Sequence, residues 1–303
     1  MAEVQLVVVG SIGIDTIGTP TAKRDDVLGG SVSYACAAAS YFTSVGMVGV
    51  VGNDFPDASM ALYRQFGIDL EGLQVVPGET FRWSGVYHDD MNNRDTISTD
   101  LNVFADFSPD LPEAYRATPY VLLGNISPDL QLHVLDQIKN PQFIMADSMD
   151  LWINVARDDL MKVISRVDLL TLNDSEARLL TGEANAVKAA RALLELGPRY
   201  VVLKKGEHGA LLFTQDTVVM APAFPLDHFE DPTGAGDCFA GGFMGALARA
   251  RRHDTVDLRE ALLYGSVVAS FGVEQFGLDR LAKLTAEQID ERFGLLGEMI
   301  DPA

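Results

Sequence analysis

Apolar residues follow two rhythms along this chain. Residues 4–9, 46–52, 120–123, 143–146, 169–172 and 200–203 are short, nearly unbroken apolar runs. Such runs predict strands buried on both faces. Between them, residues 32–44, 57–66, 129–138, 152–167, 185–196 and 258–271 carry apolar side chains at helical spacing. Strand and helix alternate, and that order predicts a parallel sheet with helices on both faces.

Residues 81–104 break the alternation. Two strand-like runs, 81–88 and 94–99, flank the turn Asp89-Asp90-Met91-Asn92-Asn93. This is a hairpin signal. With the polar, turn-rich residues 16–28 it predicts a small sheet standing off the core. The expected division is a core of residues 1–14, 29–80 and 105–303, and a lid of residues 15–28 and 81–104. In parallel sheets, ligands bind beyond the carboxyl ends of the strands. Asp15, Asn125, Asp147, Asn173 and Lys204 each follow a predicted strand end, so all five are expected on one rim.

Composition narrows the chemistry. The 303 residues include 23 basic and 43 acidic side chains, a formal charge of −20. That balance argues against a nucleic-acid partner or an anionic membrane surface. The sequence start has no basic segment before its apolar run, and no apolar run approaches the ~20 residues of a membrane span. A cytoplasmic enzyme is the expectation. Cys36 and Cys238 are the only cysteines, both among small apolar residues, and are expected as buried thiols.

The densest chemistry lies in Asp231-Pro232-Thr233-Gly234-Ala235-Gly236-Asp237, followed by Cys238-Phe239-Ala240-Gly241-Gly242-Phe243. Phe239, Phe243, Ala246, Leu247 and Ala250 then recur at helical spacing. Two glycines let successive N–H groups converge on one object, and a helix start adds partial positive charge. Together they form a cradle for phosphate. Asp237 fits this cradle as a base for a hydroxyl that attacks the phosphate. It also fits as an N-cap of an ordinary helix.

This stretch resembles the C-terminal signature of the ribokinase (PfkB) family of carbohydrate and nucleoside kinases, and further matches run in order from Gly10 to Gly277. The resemblance implies a ribokinase-like α/β fold with a β-sheet lid over the acceptor. It implies that the amides of Gly234, Ala235 and Gly236 stabilise the transferred phosphoryl group, with Asp237 as catalytic base. Asp15, Gly29 and Gly30 match acceptor-binding positions. Tyr34 stands where many relatives carry Asn, and with Tyr87, Asn102 and Phe104 is expected to face the acceptor. Asn173-Asp174-Ser175-Glu176 matches the N-x-x-E motif, in which Glu176 positions Mg²⁺ through waters; the same spacing suits a helix cap. Lys204, Gly206 and Gly209 match the nucleotide loop, and Val273 and Phe276 the corner beside adenine.

The reading is an ATP- and Mg²⁺-dependent kinase acting on a sugar, with a ribonucleoside as the alternative acceptor and a monovalent cation as a further ligand. A homodimer paired through the lids is expected. Two other classes compete. A catalytically silent sensor on this fold sits poorly with intact Asp237 and Glu176. A nicotinamide-dependent dehydrogenase lacks its G-x-G-x-x-G.

Overall fold

The computed structural model describes residues 3–301. Its strands are β1 (Leu6–Val9), β2 (Gly13–Gly18), β3 (Lys23–Gly29), β4 (Val45–Gly52), β5 (Asp69–Val76), β6 (Phe81–Tyr87), β7 (Arg94–Asp100), β8 (Tyr120–Leu123), β9 (Phe143–Asp147), β10 (Leu169–Asn173), β11 (Tyr200–Lys204), β12 (Ala210–Phe213) and β13 (Val218–Ala221). Nine form one sheet in the order β13-β12-β11-β10-β9-β8-β1-β4-β5. From β11 to β5 every neighbour is parallel, while β12 and β13 are antiparallel additions at one edge.

The central strands bury every residue on both faces, which is why they read as unbroken apolar runs. One face is covered by the helices Ser31–Ala39, Ala235–Ala250 and Thr255–Gly272. Each residue of Ser31–Ala39 is buried, and its alanines and serines let the helix Ala235–Ala250 approach closely. Cys36 and Cys238 are free, buried thiols in this layer.

Several elements went unanticipated, the short helix Glu113–Arg116 among them. β5 and β13 are edge strands whose polar residues interrupt the apolar pattern, and the helix Ala286–Ile300 buries little beyond Ile289 and Leu296. The helix expected over residues 152–167 divides at Ala156, which leaves helical geometry between Asp150–Val155 and Arg157–Ile164.

The second sheet has the order β3-β2-β6-β7. β2 and β3 form one hairpin and β6 and β7 another, joined by parallel pairing of β2 with β6. Asp15 lies inside β2, opposite Val27 and Trp83, and not in a loop after β1. It thus enters the site from the small sheet, a correction to its place on the rim.

Candidate active site

β9, β10 and β11 are neighbours, and their last residues are Asp147, Asn173 and Lys204. Parallel pairing brings these ends to one rim. Lys204 Nζ donates to both carboxylate oxygens of Asp147, at 3.0 and 2.8 Å. Asn173 caps the helix Asp174–Thr181: its Oδ1 accepts from the Glu176 amide at 2.8 Å, and Glu176 Oε2 accepts from the Asn173 amide at 2.8 Å. The capping reading of this motif is therefore realised. Burial pushes Glu176 up to about 7, with Lys204 opposing and Asp147 adding to the rise. On β8's far end, Asn125 accepts from Trp152 Nε1 at 2.9 Å.

The helix Ala235–Ala250 starts at Gly234 without a side-chain cap. Gly234 has φ +76°, and a Cβ there would lie 2.4 Å from the Tyr34 ring. Only glycine allows both the left-handed backbone and this contact. Asp237 sits in the first turn of the helix, so the sequence-derived cap role falls instead to an uncapped Gly234. Burial and then Asp147 push Asp237 up to about 7, against the pull of Lys204 and of Arg94 on β7. Asp231 anchors the loop from behind, accepting from the amides of Thr233 (2.9 Å) and Gly277 (3.4 Å).

At the acceptor end, Asp15 is buried and its Oδ1 has no hydrogen-bond partner among the described residues. A Cβ on Gly29 would stand 1.9 Å from Asp15 Oδ2, so this close approach needs glycine. Gly30 follows as the N-cap of Ser31–Ala39. The Tyr34 hydroxyl is likewise buried and unpartnered. Burial, then Asp231 and Asp15, hold it well above the usual phenol range, so it stays a neutral donor. Burial, followed by Asp231, pushes Asp15 up to about 7. The small sheet closes over these groups: Thr233 Oγ1 donates to the Tyr87 hydroxyl at 3.1 Å, and Asn92 Nδ2 at the hairpin tip donates to Glu207 Oε2 at 3.1 Å.

Residues 5–283 match the model of the pfkB family of carbohydrate kinases. The chain belongs to the pfkB family. It is 31% identical to a cytidine kinase of Thermococcus kodakarensis over 81% of this chain and 89% of that protein. It is 27% identical to a nucleoside kinase of Methanothermobacter thermautotrophicus over 80% of this chain and 77% of that one. A putative ribokinase II from E. coli, solved with ATP and Mg²⁺, shares the fold with a TM-score of 0.80 at 20% identity, covering 96% of this chain and 99% of that chain. This pfkB chain is therefore a kinase on a ribokinase-like fold, a mostly parallel sheet with flanking helices and a smaller second sheet.

Several residues expected at the site have other neighbours in this pfkB kinase. Phe276 packs with Ile17 and Tyr87 in the cluster beneath the small sheet, under the guanidinium of Arg24, so its ring is not free to wall adenine. Val273 presents its carbonyl to the amides of Glu230 and Asp231, behind the 231–237 loop. Asn102 donates to the Thr80 carbonyl and lines a surface cavity of about 500 Å³ between β4, β5 and residues 102–107. Phe104 stacks on Phe107 and meets Phe81 at a tilt of 45°. The Tyr34 ring is not an open stacking face, since Gly234 lies on it. Gly206 meets Asn92, and Gly209 abuts the backbone at Ala221. Asp147, Asp231 and Arg94 had no assigned role. Asp147 was readable as a rim residue, and Asp231 as the first residue of the motif. Nothing in the sequence marked Arg94, because its position depends on how the hairpin folds over the core.

The residues present suit a nucleotide and Mg²⁺ in a limited way. Among the described residues no group of three His, Cys, Asp or Glu side chains is arranged to hold a metal. Glu176 has one carboxylate oxygen given to the Asn173 amide and one left over. That donor set fits a Mg²⁺ carried mainly by phosphates and waters. The uncapped helix start with Lys204 beside it fits the anionic end of a nucleotide. No described helix is long and apolar enough to cross a membrane.

Proposed function

We propose that this pfkB kinase transfers the γ-phosphoryl group of ATP to the primary hydroxyl of a ribonucleoside. One observation carries the acceptor reading: Asp15 Oδ1 and the Tyr34 hydroxyl are both buried and both unpartnered. Buried polar groups that lack partners cost stability unless a ligand supplies them. An acceptor and a donor in one enclosed place fit the adjacent hydroxyls of a ribose. The similarity to a cytidine kinase and a nucleoside kinase over four-fifths of the chain supports a nucleoside over a free sugar.

The chemistry follows from positioning. Asp15 holds the ribose hydroxyls, with Gly29 and Gly30 giving the backbone room. Asp237 takes the proton of the primary hydroxyl as its oxygen bonds to the γ-phosphorus. The bond from that phosphorus to the bridging oxygen breaks, and ADP leaves. The amides of Gly234 and Gly236 receive the phosphoryl oxygens at the helix start, while that of Ala235, also expected there, is given to the Pro232 carbonyl at 3.1 Å. Glu176 would hold a Mg²⁺ through waters, and the ion would supply charge neutralisation for the phosphates. The nucleotide side is bounded by Asn173 and by the 204–209 turn. The small sheet excludes water, which would otherwise compete as acceptor.

The test is ADP release from ATP and Mg²⁺ with cytidine, adenosine, inosine, 2′-deoxycytidine, ribose and fructose, each at millimolar concentration. A ribonucleoside is expected to be the best acceptor, with its 2′-deoxy form clearly poorer. Ribose or fructose as best acceptor would return the protein to the sugar reading. Equal rates on cytidine and 2′-deoxycytidine would overturn the diol role of Asp15.

A further inference from the structure

The acidic character of the rim poses a problem for phosphate chemistry. Asp147, Glu176 and Asp237 gather where a polyphosphate must enter, and each phosphate adds negative charge. Lys204 lies among them. Lys204 Nζ stands 3.1 Å from where a Cβ on Gly236 would be, hence against the backbone of the phosphate cradle. Only 18% of its side chain and 6% of that of Asp147 are exposed. Burial opposes its charge, but Asp147 and Glu176 outweigh burial and hold its ammonium above the usual lysine value. It therefore stays protonated.

We infer that Asp147 and Lys204 form a built-in charge device for phosphoryl transfer. Lys204 is a catalytic residue that pairs with the γ-phosphoryl oxygens, and Asp147 is a positioning residue that aims it. This rests on the kinase reading given above.

The geometry carries the assignment. The two residues end β11 and β9, which lie on either side of β10, so the pair bridges the rim across Asn173. A lysine side chain has four rotatable bonds and many conformations to lose. A carboxylate that takes hydrogen bonds from the ammonium through both oxygens removes most of that freedom. It fixes the charge beside Gly236, the residue before Asp237. The ammonium has three donors, and Asp147 leaves at least one for a phosphoryl oxygen. A fixed donor aimed at charge that grows in the transition state costs no reorganisation when the reaction occurs. Asp147 does not touch substrate in this scheme; its whole effect passes through Lys204.

The experiment compares wild type, Lys204→Met, Asp147→Asn and the double variant, using the best acceptor and Mg·ATP. Circular dichroism and thermal melting check that each folds. Should Lys204→Met not fold, Lys204→Gln takes its place, since an amide still donates to Asp147. Lys204→Met is expected to lower kcat about 10²-fold with acceptor KM little changed. Asp147→Asn is expected to lower kcat about tenfold alone and not at all in the Lys204→Met background. A purely structural Asp147 would cost as much in either background, and that result would overturn its assignment. Calorimetry supplies a readout without turnover: Lys204→Met should weaken ATP about tenfold while leaving ADP nearly unchanged. Equal losses for ATP and ADP, or unchanged kcat, would remove Lys204 from the γ-phosphoryl group and leave the kinase reading standing. Wild type that binds no ATP and releases no ADP with any acceptor would sink the kinase reading itself.

Discussion

Asp237 and Asp15 are both buried carboxylates pushed up to about 7, yet the same shift has different consequences. A base must be ionised to accept a proton. Turnover as kcat/KM, which reports groups of the free enzyme, should therefore rise with pH through about 7 and level off above it. Asp237→Asn should abolish most turnover, by roughly 10²–10⁴, with nucleotide affinity nearly intact. Wild-type-like turnover in that variant would reduce Asp237 to a residue of the helix start. For Asp15 the measurable consequence is stability. Its folded value lies above the unfolded 3.8, so its contribution is fully present below about 3.8 and lost as pH rises towards 7. Above 7 the folded protein carries an ionised group that burial disfavours. Asp15→Asn should thus gain on wild type by about 1–3 kcal/mol more at pH 8 than at pH 5 in denaturant unfolding. The same variant should lose acceptor binding, a case of function held at the expense of stability. A gain that does not change with pH would show that Asp15 is not ionised in a buried site.

At the scale of elements, the small sheet does two jobs that its sequence showed only in part. The hairpin signal in 81–99 and the turn-rich 16–28 correctly pointed to paired strands off the core. That β2 and β6 run parallel, bringing Asp15 beside Trp83, was not readable, because strand partners distant in sequence leave no local mark. Contacts of Tyr87 and Asn92 with Thr233 and Glu207 tie the sheet to both the 231–237 loop and the 206–208 turn. The outer strand β7 is exposed throughout, with Ile97 66% accessible. Unpaired strand edges with apolar residues invite pairing. A homodimer joined through these sheets is the expected state, and light scattering at micromolar concentration is the check. A monomer mass at both low and high salt would exclude it.

The whole molecule separates local from long-range information. Buried parallel strands must be apolar on both faces, so the runs at 120–123, 143–146, 169–172 and 200–203 announced β8 to β11 nearly residue by residue. The glycine-rich turn into the helix at Ala235 was legible for a similar reason: an amide cradle requires particular residues at adjacent positions. The sequence by itself therefore determined the alternating α/β core, the glycine-rich turn into the helix at Ala235, the acid in its first turn, and the rim on which the strands end. It left β5 and β13 unannounced, since edge strands need no continuous apolar pattern. Only the tertiary structure decided which rim residues meet. Asp147 and Lys204 are separated by 57 residues, and the parallel order β9-β10-β11 sets their ends close enough to pair. Tertiary packing also turned Tyr34 under Gly234 and withdrew Phe276 into the cluster with Ile17 and Tyr87. An aromatic residue in a sequence carries no mark of which neighbour will cover its face. That choice belongs to the helices and the small sheet that close around it.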